Sequence, residues 1–223
     1  MREMITLQAA DGHRLSAYRA APAGSPRAAI VVIQEIFGVN SHIRAVCDGF
    51  AADGYLAVAP AMYDRVERNF ECGYSAPEIE KGRGIRMQLK PEGEEADVAA
   101  AVAEAARAGV KVGITGYCYG GRVAWMAAAK VAGLSAAAGY YGGGWGDLKD
   151  LGPRCPTMLH FGAKDAHIPV ALAAEMKALH PQIVTHVYDA DHGFNCDQRG
   201  SYDAFAAVTA RARTLAWFHA ALS

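Results

Sequence analysis

Residues 111–131 read KVGITGYCYGGRVAWMAAAKV. Lys111–Thr115 is a short β-rich run, and Arg122–Val131 places apolar residues at helical spacing. Between them, TGYCYGG (115–121) sets one cysteine between two tyrosines and fences it with glycines. Glycine at that density marks a backbone bend that other residues do not make. The segment therefore predicts strand, tight turn and helix, with the Cys118 thiol at the tip of the turn.

Outward from this unit, short apolar runs alternate with longer helical patterns. Ala28–Ile33 is continuously apolar and ends at Gln34-Glu35, as a strand buried on both faces does. Ser41–Ala52 follows as a helix with Ser41 as its N-cap, then Leu56–Ala59 as a strand stopped by Pro60. Glu94–Ala108 reads as an alanine-rich helix closed by Gly109. Ala136–Tyr141, Thr157–Phe161 and Thr185–Tyr188 read as further strands, and Pro169–His180 and Ser201–Leu222 as helices. Residues 64–90 lack clear periodicity and read as loop with some helix over one end of the sheet. Repeated strand–helix alternation predicts an α/β fold: a mostly parallel central sheet with helices on both faces. The chain has 223 residues and no linker or internal repeat, so one domain over 1–223 is expected.

Bulk properties narrow the function classes. Hydrophobic residues make up 52% and charged residues 20%, enough apolar material for a large core. The net charge is −1, without a basic cluster, so neither nucleic acid nor an anionic membrane is an expected partner. No apolar run reaches the roughly 18 residues of a membrane span. The opening MREMITLQAADGHRL has no apolar stretch of a secretory leader. Five widely spaced cysteines with no C-x-x-C pair suit neither a disulfide framework nor a zinc site, and a reducing cytoplasm is expected. No metal or organic cofactor is implied, because no ligand spacing and no GxGxxG loop occurs. Oligomeric state is not encoded in any pattern of the chain.

G-x-C-x-G between a strand and a helix is the nucleophile-elbow pattern, with cysteine where serine is commoner. Gly116 and Gly120 let neighbouring backbone pass, and the helix N-terminus favours a thiolate and a developing oxyanion. An elbow enzyme places an acid and then a histidine after later strands. Asp165 follows the strand Thr157–Phe161, and His192 follows the strand Thr185–Tyr188. Carboxyl ends of parallel strands are where catalytic groups gather. His192 is thus the expected base and Asp165 its orienting acid, with Asp191 the alternative orienter. His167 reads as a loop residue that faces elsewhere, and His13, His42, His180, His186 and His219 as structural. Tyr63, Tyr140, Tyr141 and Trp145 follow or end strands and are candidates for a pocket mouth.

Gly116–Gly121, the stretch QEIFGVN (34–40), Gly139–Gly142 and His192–Phe194 together resemble the dienelactone hydrolase family, or carboxymethylenebutenolidases. This is an α/β-hydrolase branch with a cysteine nucleophile. The resemblance covers nearly the whole chain and is weakest between about 64 and 90. It implies that Glu35 helps activate the Cys118 thiol when substrate arrives. It also implies an oxyanion hole from the backbone N–H groups of Ile36 and Tyr119, the second of which the elbow requires on its own. Family members hold a substrate carboxylate with arginines, one a few residues after the histidine, where this chain has Cys196. Either Arg199 reaches in as a substitute or the anionic site is missing; Lys81, Arg83 and Arg86 are upstream candidates, and Tyr140, from its place at a strand end, is a candidate substrate contact. The expected activity is opening of a small activated lactone or ester through a Cys118 acyl-enzyme. A broader carboxylesterase or thioesterase, and a non-catalytic redox-sensing thiol protein, are the competing readings.

Overall fold

The structure is a computed structural model that describes all residues from Met1 to Ser223. Eight strands form one sheet: β1 (Arg2–Gln8), β2 (Arg14–Ala20), β3 (Ala29–Ile33), β4 (Leu56–Pro60), β5 (Val112–Tyr117), β6 (Leu134–Tyr140), β7 (Thr157–Gly162) and β8 (Val184–Tyr188). Their spatial order is β1-β2-β4-β3-β5-β6-β7-β8. β2 runs antiparallel to β1 and β4, and every neighbouring pair from β4 to β8 is parallel. The antiparallel hairpin is absent from the sequence reading. β1 is an edge strand with most residues partly or fully exposed, so it lacks the apolar run that marks the central strands.

Six helices flank the sheet: α1 (Ser41–Ala52), α2 (Ala76–Arg86), α3 (Pro91–Ala106), α4 (Tyr119–Lys130), α5 (Ala171–Leu179) and α6 (Ala204–Leu222). The two faces separate by strand alternation. Ile30 and Val32 of β3 join a core layer containing Phe50 of α1 and Phe218 of α6. Ala29, Val31 and Ile33 join the opposite layer, with Val98 of α3 and Val123 of α4. Both faces of the central strands are therefore sealed, which the continuous apolar run at 28–33 anticipated.

Several boundaries differ for local reasons. Asn40, not Ser41, caps α1, its Oδ1 accepting from the Ile43 N–H at 3.2 Å. α3 starts at Pro91, whose missing N–H costs nothing in a first turn, so the helix precedes the expected Glu94. α6 starts after Asp203, whose Oδ1 accepts from the Ala206 N–H at 2.8 Å. The aperiodic 64–90 stretch contains α2, where the Glu78 carboxylate accepts from the Ser75 and Gly73 N–H groups.

The layer facing α6 also holds a buried polar chain. His160 of β7 bonds Tyr188 Oη at 2.9 Å and Thr214 Oγ1 at 2.9 Å, and Thr214 bonds Tyr140 Oη at 2.6 Å. Burial, and secondarily the His186 and Arg213 charges, hold the His160 imidazole well below its usual pKa. The unfolded chain therefore takes up a proton near pH 6.5 that the folded chain refuses. Stability from this group is complete above that pH and falls as pH drops below it, by up to about 1.4 kcal/mol per pH unit. In urea denaturation, His160→Gln will be less stable than the unmodified protein at pH 7.5, and that difference will shrink as pH falls to 5.5.

Candidate active site

β5 lies between β3 and β6, in the interior of the sheet. The chain reverses there into α4 through Cys118, whose backbone sits at φ 53°, ψ −116°. A non-glycine residue in such a conformation stores about 1–3 kcal/mol of strain. The turn holds because its hydrogen bonds are complete: Cys118 N–H donates to Tyr140 C=O at 3.0 Å, and Cys118 C=O accepts from Gly121 N–H at 2.9 Å. A Cβ on Gly116 would fall on the Gly120 carbonyl, and one on Gly120 would fall on the carbonyls of Ile33 and Gln34. A Cβ on Gly121 would come within 2.5 Å of the Tyr140 carbonyl. α4 begins directly at Tyr119, three residues before the expected start, so the thiol stands at the helix N-terminus.

Asp165 leaves the end of β7. Its Oδ1 accepts from the His167 and Ile168 N–H groups at 2.8 and 3.2 Å, and its Oδ2 lies 2.7 Å from His192 Nδ1. A carboxylate only accepts, so Nδ1 carries the proton and Nε2 is the nitrogen free to take one. Asp191 does not orient the ring; its Oδ1 accepts from the main-chain N–H of His192 at 2.6 Å. Burial pushes the Asp165 carboxyl up, yet His192 and the two N–H donors hold it below its usual range. For His192, burial acts downward, and the Cys118 sulfur with the Asp165 bond outweighs it, raising the pKa to about 10.

The loop after β3 carries the remaining polar groups. Ile36 and Tyr119 both line the cavity beside Cys118, and the Ile36 N–H, in the loop after β3, donates to no other protein group. Gln34, fully buried, holds the loop by accepting from the Met62 N–H at 3.2 Å. Glu35 is 1% exposed, and its Oε1 accepts from Arg199 Nη1 at 3.2 Å. Arg199 also lies 5.4 Å over the Phe37 ring. Gly193 makes room for it, because a Cβ there would collide with the guanidinium. Cys196 is turned away and buried, 3.3 Å from Tyr74 Oη, and burial with the Glu35 charge pushes its thiol up to about 11. A ring nitrogen of His42, a Glu35 oxygen and the Cys196 sulfur lie within 4.8 Å of one another, a cluster that no sequence spacing announces.

These groups open into a cavity of about 580 Å³. α2 forms one wall, with Ile79, Arg83, Arg86 and Met87 facing it. The helix reaches this close because Gly82 packs against the Ile36 carbonyl, where a Cβ would clash. Lys81 is elsewhere, paired with Glu67 at 2.8 Å. Tyr140 does not reach the cavity either; it is 1% exposed and committed to Thr214, because its ring points into the α6 layer. Tyr63, Tyr141 and Trp145 are likewise core side chains, at 1%, 0% and 0% exposure. His167, read as facing elsewhere, lines the cavity with its ring 5.4 Å from that of His192. Asp147 is a lining residue with no sequence signal; the short 3₁₀ turn at Gly146–Leu148 places it there.

An eight-stranded, mostly parallel sheet with an elbow after β5, an acid after β7 and a histidine after β8 defines an enzyme of the α/β-hydrolase fold. The Dienelactone hydrolase family profile matches residues 15–222, and the chain belongs to that family. It is 33% identical over 237 residues to the carboxymethylenebutenolidase of Pseudomonas putida, covering 96% of this chain and 95% of that protein. A Synechocystis sp. protein, provisionally named for the same activity, is 39% identical over 200 residues, 81% of each chain. A Klebsiella pneumoniae crystal structure, provisionally named a dienelactone hydrolase, superposes with TM-score 0.84 at 32% identity over 97% of this chain and 99% of its own. The protein is accordingly a hydrolase acting on esters or lactones. No helix is long and apolar enough to cross a membrane.

The close approaches at the elbow predict that Gly120→Ala loses about 1–3 kcal/mol in urea denaturation. It will also lose about 100-fold or more in ester hydrolysis, since a displacement near 1 Å suffices for that. Gly84→Ala, in open space on α2, will keep activity and full stability.

Proposed function

We propose that the protein opens an activated lactone or ester bearing a negative charge, through a Cys118 acyl-enzyme. The carrying observation is Cys118 at the head of α4 beside an imidazole that Asp165 holds at 2.7 Å. His192 Nε2 takes the thiol proton, and the thiolate adds to the substrate carbonyl. The oxyanion then gathers at the N–H groups of Ile36 and Tyr119. Collapse breaks the ring C–O bond and expels an enolate, which takes the proton back from His192. Water, deprotonated by His192, attacks the thioester; the thiolate leaves as the free acid forms and regains a proton. A stabilised enolate leaves readily, so a thiol nucleophile suits an enol-lactone better than an unactivated ester.

The charge of the substrate follows from the wall residues. Arg83, Arg86 and Arg199 line the cavity against one carboxylate, Asp147. A guanidinium fork binds a carboxylate in bidentate fashion. Glu35 occupies Arg199 in the resting site, so an arriving substrate carboxylate competes for that guanidinium and releases Glu35. A freed carboxylate in a buried site seeks a proton or a donor, which supports the role in activating Cys118 that family resemblance implies. A redox-sensing thiol needs neither Asp165 nor His192 in register, and an unselective esterase does not need this arginine wall.

Cys118→Ala will abolish loss of the diene absorbance of a dienelactone while the thermal melt stays within a few degrees. Retained activity overturns the assignment. The double variant Arg83→Ala/Arg86→Ala will raise KM for the carboxylate-bearing lactone about tenfold or more, the worth of a charge-assisted bond. It will leave KM for a neutral aryl acetate unchanged; equal effects on both overturn the anionic substrate class.

A further inference from the structure

Behind the cavity, three chemically different side chains converge without any role in the acyl-transfer scheme for two of them. A Glu35 oxygen, a His42 ring nitrogen and the Cys196 sulfur lie within 4.8 Å of one another, and all three residues are buried. Glu35 comes from the loop after β3, His42 from the first turn of α1, and Cys196 from the loop after β8. Only the folded chain makes this set.

A second observation concerns the imidazole of the cluster. His42 is 4% exposed, and its Nδ1 lies 3.1 Å from Asp197 Oδ1, while Nε2 is buried with no hydrogen-bond partner. An orphaned imidazole nitrogen in a core is unusual, because the desolvation of an unmet polar atom costs about 1–3 kcal/mol. A carboxylate on one ring nitrogen, with the other left open, is the arrangement that fixes a histidine as a metal ligand. The other two residues have outer partners as well: Tyr74 Oη at 3.3 Å from the Cys196 sulfur, and Arg199 at 3.2 Å from Glu35 Oε1. Those partners leave the second oxygen of Glu35 available.

We propose that Glu35, His42 and Cys196 form a binding site for a thiophilic divalent cation, Zn²⁺ in the first instance, and that occupancy inhibits the enzyme by holding Glu35. A sulfur, an imidazole nitrogen and a carboxylate oxygen are the zinc donor types, with ligand distances of about 2.0–2.3 Å. A tetrahedral centre then needs donor separations of roughly 3.3–3.7 Å, so the side chains close by about 1 Å from their present spread. The fourth position goes to water. The charges balance: the dication and Arg199 face Glu35, Asp197 and a Cys196 thiolate. Binding forms a Zn–S bond and releases the thiol proton to solvent, with no oxidation or reduction. His42 and Asp197 also line a separate cavity of about 230 Å³ between α1 and α6, which offers an approach that does not pass Cys118. Inhibition rests on the proposed role of Glu35; binding does not.

The test uses the full chain carrying Cys118→Ala, so that the elbow thiol cannot bind metal and no turnover is involved. Titrated with Co²⁺ after chelator treatment, this variant will take up one equivalent with a thiolate-to-cobalt charge-transfer band, and Zn²⁺ will displace it. Adding Cys196→Ser or His42→Gln will remove the band and weaken Zn²⁺ binding, measured against a chromophoric chelator, by about 100-fold or more. Two variants from different elements guard against a local folding defect, and circular dichroism reports on each. Absence of the band in the Cys118→Ala protein, or its persistence after Cys196→Ser, overturns the site. With Cys118 intact, micromolar Zn²⁺ will inhibit ester hydrolysis reversibly on chelation, and Cys196→Ser will abolish that inhibition without changing activity in its absence. Inhibition that survives Cys196→Ser assigns the metal to Cys118 and His192 and overturns the regulatory part alone.

Discussion

Everything at the functional end of this protein depends on how closely backbone approaches backbone at the β5–α4 turn. Gly116, Gly120 and Gly121 bring the elbow against Gly120, β3 and β6 respectively, at separations that no side chain tolerates. That contact forces Cys118 into a left-handed conformation and lifts its thiol clear of the sheet. It also places the β3 loop, with Ile36, beside the first N–H of α4. The strain is local, and the surrounding β3–β5–β6 pairing over-determines it. A looser turn would lower the thiol into the core and separate it from both N–H groups.

The electrostatic design is built on this frame from three separate strand ends. Asp165 is satisfied by two main-chain N–H groups before it meets His192, so the imidazole is oriented by a carboxylate that is itself fixed. Glu35 and Arg199 meet as a nearly buried ion pair, an arrangement whose desolvation offsets much of its Coulomb attraction. Such a pair is poorly suited as a structural staple. The arginines of α2 add positive charge to the same cavity wall, and their approach depends on Gly82 against the β3 loop.

The positions of Cys118 at the turn and of Asp165 and His192 after later strands were legible because a tight strand-to-helix turn demands small residues at fixed offsets and each of the other two follows an apolar run. Central strands were legible because burial on both faces leaves a continuous apolar run. The β1–β2 hairpin was not, since its edge strand alternates between solvent and core and carries little apolar signal. α2 was not, because a helix facing an open cavity presents arginines rather than an apolar stripe. The aromatic residues after strand ends were misjudged for a related reason. Tyr140, Tyr141 and Trp145 have the composition of pocket walls, yet their rings fill the core layer around Trp125 and Phe161.

Local sequence by itself determined the sheet's central strands, the tight turn, the thiol at its tip, and the order in which Asp165 and His192 follow. These are short-range properties: turn sterics act over a handful of residues, and strand burial is written as contiguous apolarity. Only the tertiary structure decided which arginine meets Glu35, which way His167 faces, and that Glu35, His42 and Cys196 share one buried spot. Residues 35, 42 and 196 stand on three elements, and no local pattern records their distance. Side-chain direction at loop ends is set by what packs beneath it, and that is settled only when the sheet has closed.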